Sequence, residues 1–135
     1  MKRILIAEDN AVNRELLREL LEARGHAVEE ACNGKEALDM IAKSKPDLLL
    51  LDLSMPVLDG FATLRKIRET PEMSSLTVLA VTAYAMQGDR EKTLSAGFDG
   101  YLSKPIDSSL LDQELERVWS KERARGSEKG QSSRS

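Results

Sequence analysis

The chain has 135 residues, a length that suits one domain around a single core. Hydrophobic residues make up 41% and charged residues 32%, an ordinary globular composition, and the net charge of -3 argues against a nucleic-acid binder. The single Cys32 and single His26 exclude an internal disulfide, a Cys-rich metal site and a histidine pair. The opening "MKRILIAEDN" holds only a short apolar run before Glu8. A signal peptide needs roughly 7–15 apolar residues and a membrane span about 20, so a cytoplasmic protein without membrane association is expected.

Strand-like and helix-like segments alternate along the chain. "RILIA" is a short apolar strand that runs into acids. "NAVNRELLRELLEARG" sets Val12, Leu16, Leu17, Leu20 and Leu21 at helical spacing, with Gly25 as the stop. "HAVEEA" is more polar and suits an edge strand, with His26 in the turn before it and Cys32 as a small filler at its end. "NGKEALDMIAKSK" places Ala37, Leu38, Ile41 and Ala42 on one helical face before Pro46. "DLLLLD" reads as a central strand covered on both sides. The turn "LSMPVLDG" leads to a helix carrying Phe61, Leu64 and Ile67 that ends near Pro71. "LTVLAVT" is another buried strand, "GDREKTLSAG" a polar helix closing at Gly97, and "DGYLSK" a short strand before Pro105. The last helix lies in "DSSLLDQELERVWSKER", capped by Asp107 or Ser108, with Leu111, Leu115, Val118 and Trp119 on one stripe. The tail from Lys121 has five basic and two acidic residues, is rich in Ser and Gly, and has no apolar period. A folded domain over residues 1–123 and a disordered polar, basic tail over 124–135 are the expected organisation.

Five β-α units in succession argue for an α/β fold, a doubly wound parallel sheet with helices on both faces. Ligands of such sheets bind beyond the carboxyl ends of the strands. The residues there are Glu8, Asp9 and Asn10 after the first strand, Asp52 and Ser54 at the third, Thr82 at the fourth, and Ser103 and Lys104 at the fifth. Three carboxylates gathered on one rim repel one another and call for a cation. Hard oxygen donors without His or Cys suit Mg²⁺ or Mn²⁺. The sequence has neither GxxxxGK[ST] nor GxGxxG, and its one histidine lies away from this rim. An aspartate beside a divalent cation, a lysine and a threonine is equipped to attack phosphorus and form an aspartyl phosphate.

The motifs "ILIAEDN", "LLLLDLSMPVLDG", "VTAYA" and "YLSKP", in this order, resemble the receiver domain of bacterial two-component response regulators. The resemblance spans about Lys2 to Arg123. It implies the five-stranded sheet of order 2-1-3-4-5, the flavodoxin-like receiver fold. It implies Asp52 as phosphoacceptor, with Mg²⁺ held by Asp9 directly, by Glu8 through water, by Asp52 and by the backbone carbonyl of Ser54. Thr82 and Lys104 are implied as partners of the phosphoryl oxygens, and Tyr101 as the aromatic that changes rotamer when Thr82 moves. Ser54 and Tyr84 occupy the two positions that tune phosphoryl lifetime; the small Ser54 leaves room for water, whereas Tyr84 shields it. A cis Lys104–Pro105 bond is also implied.

The donor implied is a phosphohistidine on a histidine kinase or histidine phosphotransfer domain. The output would pass to a partner protein through the face formed by the fourth helix, fifth strand and fifth helix. Since no output domain follows Trp119, the chain is expected either to stand alone or to be cut from a larger regulator, and "EDNAVN" resembles the receivers of hybrid kinases. Two enzyme-like or cofactor-binding rivals fare worse. An aspartate-nucleophile phosphohydrolase would carry a second acid where Ser54 stands, and a flavin-binding module would not present "AEDNAV" to a phosphate. A receiver acting as an unphosphorylated binding module is a further alternative.

Overall fold

Apolar runs of four or five residues, each bounded by polar turns, become the strands of one parallel sheet. In the computed structural model, which describes residues 2–55, 58–83 and 88–120, β1 spans Arg3–Ala7, β2 Ala27–Ala31, β3 Leu48–Asp52, β4 Val78–Thr82 and β5 Gly100–Ser103. Between them lie α1 (Ala11–Glu22), α2 (Gly34–Lys43), α3 (Gly60–Glu69) and α4 (Asp89–Ser95). A fifth helix, α5, runs through residues 108–120. The strand order is β2-β1-β3-β4-β5, with every pairing parallel.

The sheet is buried on both faces by different side-chain sets. One face sets Leu5, Ala7, Leu49, Leu51, Val78 and Ala80 against Ala37 and Ile41 of α2 and Leu64 and Ile67 of α3. The other sets Ile4, Ile6, Leu48, Leu50, Leu79 and Val81 against Leu17 and Leu21 of α1 and Leu111, Leu115 and Val118 of α5. The four leucines of β3 therefore alternate between two cores, and all are fully buried. Each such side chain contributes roughly 1.5–3 kcal/mol of transfer free energy. This is why β3 sits mid-sheet, with β1 and β4 as its neighbours.

The caps are local and legible. Asn10, Asn33 and Asp59 each accept a hydrogen bond from a first-turn amide of α1, α2 and α3. Of the two caps expected for α5, Asp107 is the one used, accepting from the amides of Ser109 and Leu110. Gly60 opens α3 so near the end of β3 that a Cβ there would lie 2.7 Å from the Asp52 carbonyl oxygen. No side chain fits between that helix and the strand end.

Two expectations are corrected. The five-residue apolar stripe of α1 is not wholly buried: Val12 is 74% exposed and Leu16 41%. Val12 and Leu16 lie four residues apart on the side of the helix turned roughly 100° or more away from the buried Leu17 and Leu21, so they sit at the outer edge of the stripe. Ala42 and Cys32 are exposed as well, so neither is core filling. The stop expected at Gly25 is the one used: Gly25 takes φ +84°, its amide donates to the Glu22 carbonyl at 2.9 Å and the His26 amide to the Leu21 carbonyl at 3.3 Å, closing α1 and releasing the chain into β2. Met73 belongs to the core. Trp119 packs as expected, its ring edge-on to His26 at 5.1 Å. His26 accepts a hydrogen bond from the Lys2 amide, a structural duty. The expectations for Pro56, Tyr84 and the tail from Lys121 fall outside the described residues.

Candidate active site

The alternation of the strands aims the site. On the face covered by α1 and α5, the buried row of β1 is Ile4 and Ile6, that of β3 is Leu48 and Leu50, and that of β5 is Leu102. Carried on by the two-residue period, these rows end in Glu8, Asp52 and Lys104. The ladder extends to hold them: the Glu8 amide donates to the Ala31 carbonyl at 3.1 Å, and the Lys104 amide to the Thr82 carbonyl at 2.7 Å. Thr82 ends the opposite row of β4, after Val78 and Ala80, and pairs in register with Ser103. Tyr101 pairs with Ala80 and packs against the same core. The Lys104–Pro105 peptide is cis, as the resemblance implied.

These residues meet. Carboxylate oxygens of Glu8, Asp9 and Asp52 all lie within 4.8 Å of one another. Glu8 and Asp52 are buried, at 1% and 3% exposure, while Asp9 is exposed. Lys104 Nζ stands 2.5 Å from Glu8 Oε1 and 3.4 Å from Asp52 Oδ2. The contact with Glu8 is ionic rather than an aligned hydrogen bond, and Oε1 has no hydrogen-bond partner among the described residues. Glu8 Oε2 accepts from the Asn10 amide at 3.2 Å, and Asp52 Oδ1 from the Ser54 amide at 3.1 Å. Thr82, 3% exposed, closes the fourth side.

The electrostatics follow from crowding. Burial first, and then the neighbouring Asp52 carboxyl, push Glu8 up to about 7, against the pull of Lys104. Burial alone would lower the Lys104 ammonium; Glu8 and Asp52 together hold it above its ordinary value. One lysine thus fails to balance the acids: Glu8 is driven towards its neutral form when nothing else compensates it. A divalent cation among the three carboxylates would supply that compensation, and the donor set of hard oxygens suits one.

Beside the site, Arg90, Tyr101, Leu102, Ser103, Leu110, Gln113 and Glu114 line a groove of about 360 Å³ between α4, β5 and α5. Glu114 is the buried carboxylate there. It accepts from the Tyr101 amide at 3.0 Å and pairs with Arg117 at 3.0 Å. Burial opposes its charge, but Arg117 and the Tyr101 amide outweigh burial and hold it below the usual carboxylate range. Sequence reasoning passed over Glu114, and also Arg14, which donates to the carbonyl oxygen of Glu8 at 2.8 Å. Nothing in helical spacing separates either residue from the other charged positions of its helix.

A five-stranded parallel sheet in this order, with three acids, a threonine and a lysine at its carboxyl rim, defines a phosphoryl-accepting signalling domain. The response regulator receiver domain family matches residues 4–116, and the chain belongs to that family. The polar-differentiation response regulator DivK of Brucella anthropi is 40% identical over 105 residues, 78% of this chain and 85% of that one. The receiver domain of a signal transduction histidine kinase from Syntrophus aciditrophicus superimposes with a TM-score of 0.80 at 31% identity, covering 89% of this chain and 91% of that one. The receiver domain of sensor histidine kinase PA1611 from Pseudomonas aeruginosa, whose structure carries a magnesium ion in its active-site cleft, superimposes with a TM-score of 0.78 at 36% identity, over 86% and 95% of the two chains. Among the described residues, no helix is long and apolar enough to cross a membrane.

Proposed function

We propose that Asp52 is the phosphoacceptor of this receiver, served by Mg²⁺ on Glu8, Asp9, Asp52 and the Ser54 carbonyl. The observation that carries the reading is the meeting of three carboxylates and Lys104 on one rim, with Glu8 driven towards neutrality. When bound, the cation supplies charge neutralisation at the transferring phosphoryl group. The chain's own residues do the rest. Asp52 presents one oxygen, which forms the new O–P bond as the P–N bond to a donor histidine breaks. Ser54, through its amide, fixes the other carboxylate oxygen. Lys104 stands within reach of the incoming oxygens, and the Thr82 hydroxyl is placed to donate to one of them.

The new group adds about -1.5 to -2 charges at the rim. Lys104 is then shared between Asp52 and the phosphoryl oxygens, Thr82 is drawn towards them, and Tyr101, on the same sheet face, moves into the space released. The groove lined by Tyr101 and Glu114 changes shape with it, and a partner protein reads that face. Ser54 leaves the acyl phosphate open to water, while Tyr84, outside the described residues, is assigned the opposing, shielding role. The chain catalyses its own phosphorylation and dephosphorylation and no other reaction. Its donor is a histidine kinase or a histidine phosphotransfer domain, and its place of work is the cytoplasm. Residues 1–123 form the receiver, with 124–135 as a polar tail.

The test is phosphoryl uptake from a phosphohistidine donor, with and without a chelator, in the wild type, Asp52→Asn and Asp9→Ala. Uptake by the wild type alone, abolished by the chelator, is expected, with Asp9→Ala weakened in Mg²⁺ affinity. Equal uptake by Asp52→Asn would overturn the assignment.

A further inference from the structure

Two of the three clustered carboxylates, Glu8 and Asp9, hang on one short stretch of backbone between β1 and α1. An isolated loop of acids would splay, because each carboxylate repels the next. Arg14, one turn into α1, holds this stretch from outside the cluster. Its Nη1 donates to the Glu8 carbonyl at 2.8 Å and lies 3.5 Å from the Asp9 carbonyl. Its Nε stands 3.3 Å from Glu30 Oε1. Glu30 is in turn paired through Oε2 with Arg18 at 2.5 Å, and Arg18 with Glu22 at 3.2 Å. Arg14 and Glu30 are mostly covered, with side chains 18% and 31% exposed. Glu30 lies one period beyond the buried Val28, on the face of β2 that meets α1. A charge at that inward position is costly unless it is used.

We propose that Arg14 is a positioning residue for the metal-binding loop: its guanidinium, aimed by Glu30, fixes the carbonyls of Glu8 and Asp9 so that both carboxylates face Asp52. The inference rests on the reading of Glu8 and Asp9 as metal ligands. A guanidinium suits the task because its donors form a rigid planar fork, so one edge grips carbonyls while Nε stays on the aiming carboxylate. An ammonium has no such geometry. The positive charge of Arg14 also repels an incoming cation, which gives the two effects opposite signs. As a clamp, Arg14 strengthens metal binding. As a mere neighbouring charge, it weakens it.

The experiment titrates the metal-free full chain with Mg²⁺ by calorimetry, comparing wild type, Arg14→Gln, Arg14→Lys, Glu30→Gln and the double variant Arg14→Gln/Glu30→Gln. Partners that orient metal ligands are worth roughly 10–100-fold in affinity, and Arg14→Gln is expected to lose about tenfold. Arg14→Lys recovers little of this. Glu30→Gln loses less, and the double variant is no worse than Arg14→Gln, because Glu30 acts only through Arg14. Amide hydrogen exchange of the metal-free proteins gives an independent readout: the segment Asp9–Asn10 exchanges faster in Arg14→Gln while the sheet keeps its protection. Unchanged or tighter Mg²⁺ binding by Arg14→Gln, fully additive losses in the double variant, or unaltered exchange at Asp9–Asn10 would overturn the proposal. A wild type that binds no Mg²⁺ would overturn the ligand reading instead, while the exchange measurement still decides on the clamp.

Discussion

Glu8 is the residue on which the electrostatic balance of the rim turns. Its carboxyl is raised to about 7 by burial and by Asp52, so its charged form is disfavoured in the folded, metal-free chain. A carboxyl raised on folding leaves stability intact below its unfolded value, near 4.5, and removes stability as pH climbs through the folded value. The metal-free wild type should therefore lose stability relative to Glu8→Gln between about pH 4.5 and 7. The full shift corresponds to at most about 3 kcal/mol. Urea unfolding of both proteins across that range, in chelator, checks it; parallel pH profiles would contradict it. Mg²⁺ should abolish the difference by compensating the ionised carboxyl. Lys104 shows why the lysine alone does not suffice: at 2.5 Å from Glu8 and 3.4 Å from Asp52 it is divided between two acids.

At the scale of elements, the sheet is a set of mounts and the loops at its opposite end are tied by side chains. Arg68 of α3 donates to the carbonyls of Ser74, Leu76 and Gly97 and to Asp99 Oδ2 at 3.1 Å. Asp99 Oδ2 also accepts from the Val78 amide that starts β4. One arginine thus joins the entries of β4 and β5. Arg68→Met should leave the Ser74, Leu76 and Gly97 carbonyls without this donor and Asp99 without its ion pair, and cost about 3 kcal/mol, read as a lowered urea midpoint with an unchanged slope. A loss under about 0.5 kcal/mol would be the cost of an ordinary surface change and would contradict this. Such ties were not legible in the sequence, because an arginine that joins two loops has the same local pattern as one that faces water. The strands were legible, because runs such as "LLLLD" and "VLAVT" are apolar at every position before their final Asp52 or Thr82 and admit burial on both sides. The site followed from them, since the strand-end position of Asp52, Thr82 and Lys104 is fixed once the strands are. The error lay in α1: an apolar stripe five residues strong is wider than the surface the helix buries, so Leu17 and Leu21 face the sheet while Val12 and Leu16, turned about 100° or more from them, are left in water.

Over the whole molecule, the two cores and the acidic rim are coupled by the same strands, so a ligand of the rim acts on global stability. At a Mg²⁺ concentration 100-fold above its dissociation constant, linkage adds about 2.7 kcal/mol to the folded state. Thermal unfolding should accordingly shift upward with Mg²⁺ in the wild type and hardly at all in Asp9→Ala; equal shifts would place the cation elsewhere. The groove between α4, β5 and α5 lies next to Lys104, and Tyr101 lines it while packing on the core of the opposite helices. A charge added at Asp52 therefore has a short path to a surface that a partner protein can read. The central claim is that the charge arrives on Asp52 and nowhere else. Reductive trapping of the acyl phosphate with borohydride, after incubation with Mg²⁺ and acetyl phosphate, followed by peptide mass mapping, locates it directly. The account predicts a single trapped product at position 52, lost when Mg²⁺ is chelated. Product at Glu8 or Asp9, or the same yield from Asp52→Asn, would contradict it.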